Sequence, residues 1–181
     1  MNLTQPLPTE LQSQHTVRFQ DCDPFGHLNN ARYIDYFLNA REDQLIEHYD
    51  FHIFEHGKET NQNWVVTRSY LAYLYPALSN EKIIIVTRLI HMSESTLVVE
   101  AVMFDKDMKR PKSVGWAEFT YVSLASGRTT KHSDELMAFF QSVVVDGIYD
   151  ADGFNRRVET VRREHRKRPE QASVEAQVMA Q

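Results

Sequence analysis

The stretch VRFQDCDPFGHLNNARYIDYFLNAR, from Val17 to Arg41, decides how this chain is read. Its middle, DCDPFGHLNN at 21–30, is dense in turn formers and closes on two asparagines. Asn29 or Asn30 is the expected helix N-cap, because its side chain accepts from an otherwise orphaned backbone N–H. From residue 31 to 49, Ile34, Phe37, Leu38, Leu45 and Ile46 recur every three to four positions, with Tyr33, Tyr36 and Ala40 beside them. That period predicts an amphipathic helix of about five turns. Upstream, His15 to Phe19 has the make-up of a short strand with Val17 and Phe19 on one face.

Beyond residue 60 the period changes. WVVTRSYLAYLY (64–75), EKIIIVTRLIHM (81–92), STLVVEAVMF (95–104) and KSVGWAEFTYVSL (112–124) each read as a strand rich in β-branched and aromatic side chains. Short polar turns separate them, which favours antiparallel pairing of neighbours. A further helix is expected from His132, capped by Ser133, and another over 150–168. One long amphipathic helix must bury its stripe, and the sheet is the only large apolar surface on offer. The reading is an α+β fold, a curved antiparallel sheet wrapped around one long helix. Its open sheet edges call for a cover or a second copy, so a homodimer or homotetramer is expected.

Length and composition exclude other classes. The chain has 181 residues, 42% hydrophobic and 25% charged, which fits a compact domain rather than a disordered chain. The one cysteine, Cys22, rules out an intrachain disulfide and a cysteine-based zinc site, and the eight histidines lack metal-ligand spacing, so no metal is expected. Apolar runs such as Ile83–Val86 are too short for a membrane span, and the first residues do not resemble a signal peptide. These features point to a cytoplasmic protein. The net charge is −5, but it is uneven: residues 1–155 carry −8 and residues 156–181 carry +3. So acidic a body argues against a nucleic-acid partner. The basic run RRVETVRREHRKR, Arg156 to Arg168, suits contact with an anion such as a phosphate; equally, it suits a solvated helix with Glu159 and Glu164 pairing its arginines.

The segment Asp21-Cys22-Asp23-Pro24-x-Gly26, the polar residues after it, Tyr33 in the first helical turn and the Ala40-Arg41 pair resemble the hotdog-fold thioesterases of the 4-hydroxybenzoyl-CoA thioesterase-like group. Tyr73-Leu74-Tyr75-Pro76-Ala77 and the strand around Gly115–Tyr121 extend the likeness over residues 14–140. The resemblance implies a hotdog domain at 14–145, preceded by a lead-in at 1–13 and followed by a C-terminal helical extension at 146–181. It implies an acyl-CoA thioesterase with no separate cofactor, coenzyme A being part of the substrate. It places the catalytic carboxylate at Asp23 and the carbonyl-polarising backbone N–H at Asn30. A pocket completed by the partner subunit is also implied. HLNNARY (27–33) also resembles plant-type acyl-ACP thioesterases, but Phe25 stands where that group has Asn. An acyl-ACP thioesterase and a non-catalytic acyl-binding hotdog protein are the alternatives.

The residue types suit this chemistry. Thioester hydrolysis needs a base or nucleophile, and positive partial charge where the carbonyl oxygen becomes negative. A helix N-terminus supplies unpaired N–H groups and a favourable field. Asp23 then acts as nucleophile or as general base on a water. Gly26 permits positive φ or close approach of a ligand. His27, Asn29 and Tyr33 are candidate substrate contacts. Asp21 reads as structural, Cys22 as a small buried side chain and Arg41 as half of an internal ion pair. Glu42 and Glu47 read as surface residues, and the tyrosines at 33, 36, 70, 73 and 75 as core, interface or pocket lining.

Overall fold

The computed structural model describes residues 6–166. Strand β1 (Glu10–Thr16) leads through a 3-10 turn, Phe19–Asp21, the Asp21–Asn30 loop and a second 3-10 turn, Asn30–Arg32, into helix α1 (Tyr33–Tyr49). Then come α2 (Ile53–Thr60), β2 (Gln62–Tyr73), β3 (Lys82–Met92), β4 (Thr96–Asp105), β5 (Pro111–Ser123), α3 (Asp134–Val143) and α4 (Phe154–Arg166). The five strands form one antiparallel sheet in the order β1-β3-β4-β5-β2. This is the curved antiparallel sheet with a long helix of the hotdog fold.

The first strand lies earlier than the sequence reading places it. Residues 10–16 pair with β3, so residues 10–13, assigned to the lead-in, belong to the sheet. Val17 is buried just past the strand, whereas Phe19 is 82% exposed. An edge strand held by backbone pairing needs only one core side chain, Leu11, and so shows no alternation to read. Helix α2 leaves no periodic signal in the sequence, being eight residues long with a glycine, Gly57, inside it. Ser133 caps α3 as expected, accepting from Leu136 N; Asn29 accepts from Ala31 N and so caps the 3-10 turn that leads into α1, while α1 itself starts after Arg32 with no side-chain cap.

Strand β2 does not pair with its sequence neighbour β3; it crosses to the far edge and pairs with β5. The eight residues 74–81 make that crossing. Three strand spacings are about 14 Å, well within the reach of eight extended residues. The crossing passes beneath the start of α1, where Ala77 N donates to the Tyr33 hydroxyl and Lys112 Nζ pairs with Glu81 at 2.8 Å.

Alternate residues of the central strands face opposite ways. Ile83, Ile85, Ala101 and Met103 pack against Tyr33, Phe37 and Ala40 of α1. Farther along, Leu89, Leu97 and Val99 meet Leu45 and Tyr49 together with Leu136, Phe140 and Val143 of α3. The buried stripe of α1 is therefore Tyr33, Phe37, Ala40, Gln44 and Leu45; Ile34 and Leu38 are half-buried and Ile46 is exposed. Ala40 and Gly115 explain this rotation. Both permit close helix–sheet approach, and a Cβ on Gly115 would come within 2.8 Å of the Phe37 ring. On the other face, Val86, Val102, Phe104 and Val114 pack against Val158 and Val161 of α4. Among the described residues, no helix is long and apolar enough to cross a membrane.

Candidate active site

The Asp21–Asn30 loop is built by its own polar groups. Asp23 Oδ1 accepts from Phe25 N at 2.9 Å and His27 N at 3.1 Å, while Asp23 N donates to His27 O at 2.8 Å. Gly26 closes the turn at φ +77°, a conformation that L side chains rarely adopt. The fold holds this loop from both sides. Leu28 N donates to Ala77 O, Ser79 N to Gly26 O, and Asn29 N to Asp21 O. Asp21 takes the Tyr36 hydroxyl at 2.9 Å and stands 3.9 Å from Arg32, the structural role read for it.

A hollow of about 230 Å³ opens between this loop, the tip of α1 and the crossing after β2. Asp23, His27, Asn30, Tyr33, Tyr73 and Tyr75 are among its walls. The residues assigned to catalysis from sequence, Asp23 and Asn30, thus meet at one cavity. Among the described residues, Asp23 Oδ2 and the Asn30 backbone N–H make no hydrogen bond. Tyr73 donates from its hydroxyl to Asn30 O at 2.9 Å and sets its ring edge-on to Tyr33, centroids 5.1 Å apart. Burial pushes the Tyr33 phenol upward in pKa, so it stays protonated; its oxygen accepts from Ala77 N, leaving its own proton to give.

The four residues expected to touch substrate divide. His27 and Tyr33 line the hollow, whereas Gly26 and Asn29 do not; Gly26 shapes the loop and Asn29 caps the 3-10 turn ahead of α1. Phe25 points away, 83% exposed. Cys22 donates weakly to Arg18 O and lies outside the hollow. Glu42 and Glu47 lie outside it too. Tyr73, Leu74, Tyr75 and Pro76 form its far wall, and only the crossing of β2 to the sheet edge brings them there.

Arg41 departs from the expected ion pair. Among the described residues no carboxylate lies within 4 Å of it; it donates to Thr87 Oγ1 at 3.2 Å. Burial lowers its pKa to about 10, with Tyr49 opposing the shift, so it remains a cation at neutral pH. It borders a second cavity of about 110 Å³, otherwise walled by apolar groups including Leu45, Trp64, Leu89, Phe119 and Phe140. This cavity lies at the Trp64 end of β2, remote from the Tyr73 end that borders the Asp23 hollow. Among the described residues no cluster of three His, Cys, Asp or Glu side chains is placed to hold a metal ion.

Comparison with known proteins agrees with this architecture. The family model described as the thioesterase-like superfamily matches residues 17–140. No curated protein matches the chain. Among solved structures, a probable thioesterase from Escherichia coli, YbaW, superposes with a TM-score of 0.64 at 22% identity, covering 75% of this chain and 99% of that one. The DHNA-CoA thioesterase of Staphylococcus aureus gives a TM-score of 0.66 at 16% identity, covering 74% and 87%. Slr0204, a 1,4-dihydroxy-2-naphthoyl-CoA thioesterase from Synechocystis, gives 0.66 at 8% identity, covering 73% and 96%. At these identities the likeness to solved structures is one of fold.

Proposed function

The chain belongs to the thioesterase-like superfamily, and from that premise we propose that it hydrolyses the thioester of an acyl-CoA to a free acid and coenzyme A. The observation that carries this reading is the convergence of Asp23 and Asn30 on one hollow at the tip of α1, with the Asn30 N–H making no hydrogen bond among the described residues. The substrate carbonyl oxygen lies at that N–H, where the helix field stabilises the negative charge it gains. Asp23 Oδ2 either takes a proton from water as its oxygen attacks the carbonyl carbon, or attacks the carbon itself to form a mixed anhydride that water then opens. In both routes the carbon–sulfur bond breaks, the thiol leaves with a proton, and the carboxylate of Asp23 is regenerated. Tyr33, with its proton free, donates to the substrate beside the carbonyl.

A second copy belongs to this reading. Among the described residues, strand β2 is a sheet edge of twelve residues with no strand beyond it, exposing Val65, Val66, Tyr70 and Tyr73. Within one chain the apolar cavity and the Asp23 hollow border opposite ends of β2, roughly 30 Å apart at the strand rise. Antiparallel pairing of two β2 edges about a two-fold axis sets the Trp64 end of one beside the Tyr73 end of the other. The acyl group of a thioester held at one hollow then enters the partner's cavity.

The test is thiol release from short, long and aromatic acyl-CoAs. Asp23→Ala is expected to lower the rate by about 10²–10⁴-fold. With Asn30→Ala as the control that keeps the N–H, Asn30→Pro removes both the N–H and the side-chain amide at the first position of the 3-10 turn, where proline is tolerated, and after Asn29 at ψ 134°, which suits a pre-proline residue. It is expected to cost about 10²–10³-fold in kcat with the fold retained. Full activity in Asp23→Ala sinks the site assignment. A silent wild type that still binds acyl ligands makes this an acyl-binding protein instead.

A further inference from the structure

The basic charge that stands apart in the sequence reaches the neighbourhood of the candidate site. A groove of about 350 Å³ lies between the β4–β5 turn and α4. Lys109 and Arg110 enter it from the turn, and Arg162, His165 and Arg166 from the helix. Leu74 and Tyr75 line both this groove and the Asp23 hollow, so the two share a wall. Among the described residues none of these five basic side chains pairs with a carboxylate. Asp105 Oδ1 accepts from Lys109 N and Arg110 N, and none of Asp105, Asp107 and Glu164 lines the groove.

The groove is held by packing that its ligand would not need to create. Val158 and Val161 anchor α4 on the sheet, and the His165 ring lies 4.9 Å from that of Phe104. Arg110 stands 5.8 Å over the Tyr75 ring, and Tyr75 N is fixed by Lys112 O. Convergence of several cations on one concavity, in a chain whose first 155 residues carry −8, marks a place where an anion is attracted locally against the field of the body. Its volume suits a small ligand. A docked protein would need about 800 Å² of surface per partner.

We infer that this groove binds the phosphate groups of coenzyme A, with α4 and the β4–β5 turn as its two jaws and the pantetheine arm passing Tyr75 to the Asp23 hollow. The inference rests on the acyl-CoA reading for its ligand and adds the recognition of the carrier. It assigns α4, which lies outside the residues matched by the family, a part in substrate binding.

The test uses the full chain and free coenzyme A, followed by calorimetry, so that no turnover is required. Two variants separate the jaws: Arg162→Glu with Arg166→Glu, and Lys109→Ala with Arg110→Ala. Each is expected to weaken coenzyme A binding at least ten-fold and to flatten its dependence on salt. Cleavage of the corresponding N-acetylcysteamine thioester, which lacks the phosphates, is expected to stay at the wild-type rate. Should the charge-reversed variant unfold, the turn variant decides alone. Wild-type affinity in the variants, or no coenzyme A binding by the wild type, overturns the inference. So does loss of binding to a phosphopantetheinylated carrier protein while coenzyme A binding persists. Cleavage of the truncated thioester that depends on Asp23 keeps the thioesterase reading alive if the groove fails. Weakened coenzyme A binding without any thioester cleavage supports the groove and removes the hydrolase.

Discussion

On one side the sheet meets α1 through Tyr33, Phe37, Ala40 and Leu45, while on the other it meets α4 through Val158, Val161 and Arg157. The polar groups trapped on the two sides also differ. Under α1, the buried Gln44 accepts from Thr87 and donates to Ser13 Oγ and Ile85 O, and Arg41 rests on the Thr87 hydroxyl. Under α4, the fully buried Glu100 takes two bonds from Arg157 at 2.8 and 2.9 Å, one from Arg88 at 2.7 Å and one from the Trp116 indole at 3.1 Å. Close approach, made possible by Ala40 and Gly115, seats α1 largely by shape. A charge-assisted fork, directional and short, seats α4.

The sharpest way to break this comparison is Arg157→Ala. It leaves the buried Glu100 without its bidentate partner and is expected to cost about 3–5 kcal/mol in urea unfolding. Joint replacement by Glu100→Leu and Arg157→Met removes both charges and is expected to cost much less than the single change. A single-variant cost near zero would mean that α4 is held by its valines alone. Next in size is Gly115→Val on the opposite face. The added methyls meet Phe37 and Leu71, and about 1–3 kcal/mol is expected by the same measurement. Because Phe37 carries α1, this variant also disturbs the Asp23 hollow, which Arg157→Ala leaves in place.

The smallest effect separates the two faces by acid. On the α1 side, His132 must donate from Nδ1 to Ser93 O, since its Nε2 accepts from the Trp64 indole N–H, so the ring is neutral. Burial lowers the pKa of His132, and likewise of His15 and His56, below 6.5. The unfolded chain therefore binds these protons first. This contribution is full above about pH 6.5 and declines as the pH falls below it. On the α4 side, burial alone would raise the Glu100 carboxyl, but Arg157, Trp116 and Arg88 outweigh it and hold it below 4.5. That contribution is full above about pH 4.5 and is lost as the pH falls through the folded value. Urea midpoints from pH 8 to pH 3 are expected to fall in two stages, with His132→Gln flattening part of the first only. A single stage would contradict the separation.

Much of the α1 side is legible in the chain. The capping asparagine, the glycine turn and the run from Tyr33 to Tyr49 identify the loop and helix locally, because caps and turns are settled by neighbours in sequence. The placement of Asp23 and Asn30 at one hollow follows from that local geometry. The α4 side left a fainter mark. Leu97 to Phe104 is buried at every position, with no polar alternation, as befits a strand covered on both faces. Glu100 within that run asks for a partner, but Arg157 is 57 residues away, and nothing in its surroundings singles it out from the other arginines of α4.

By itself the sequence determined the four long strands, the long helix, the capping asparagine ahead of it and the acidic turn at its tip, since these depend on period, propensity and hydrogen bonds reaching a few residues. The tertiary structure alone decided that β2 crosses to pair with β5, that Tyr73 and Tyr75 wall the hollow, that Arg41 has no carboxylate among the described residues, and that α4 brings its arginines alongside the β4–β5 turn. Those outcomes rest on which distant surfaces bury one another, a choice settled by the packing of the whole chain that no short stretch of residues encodes.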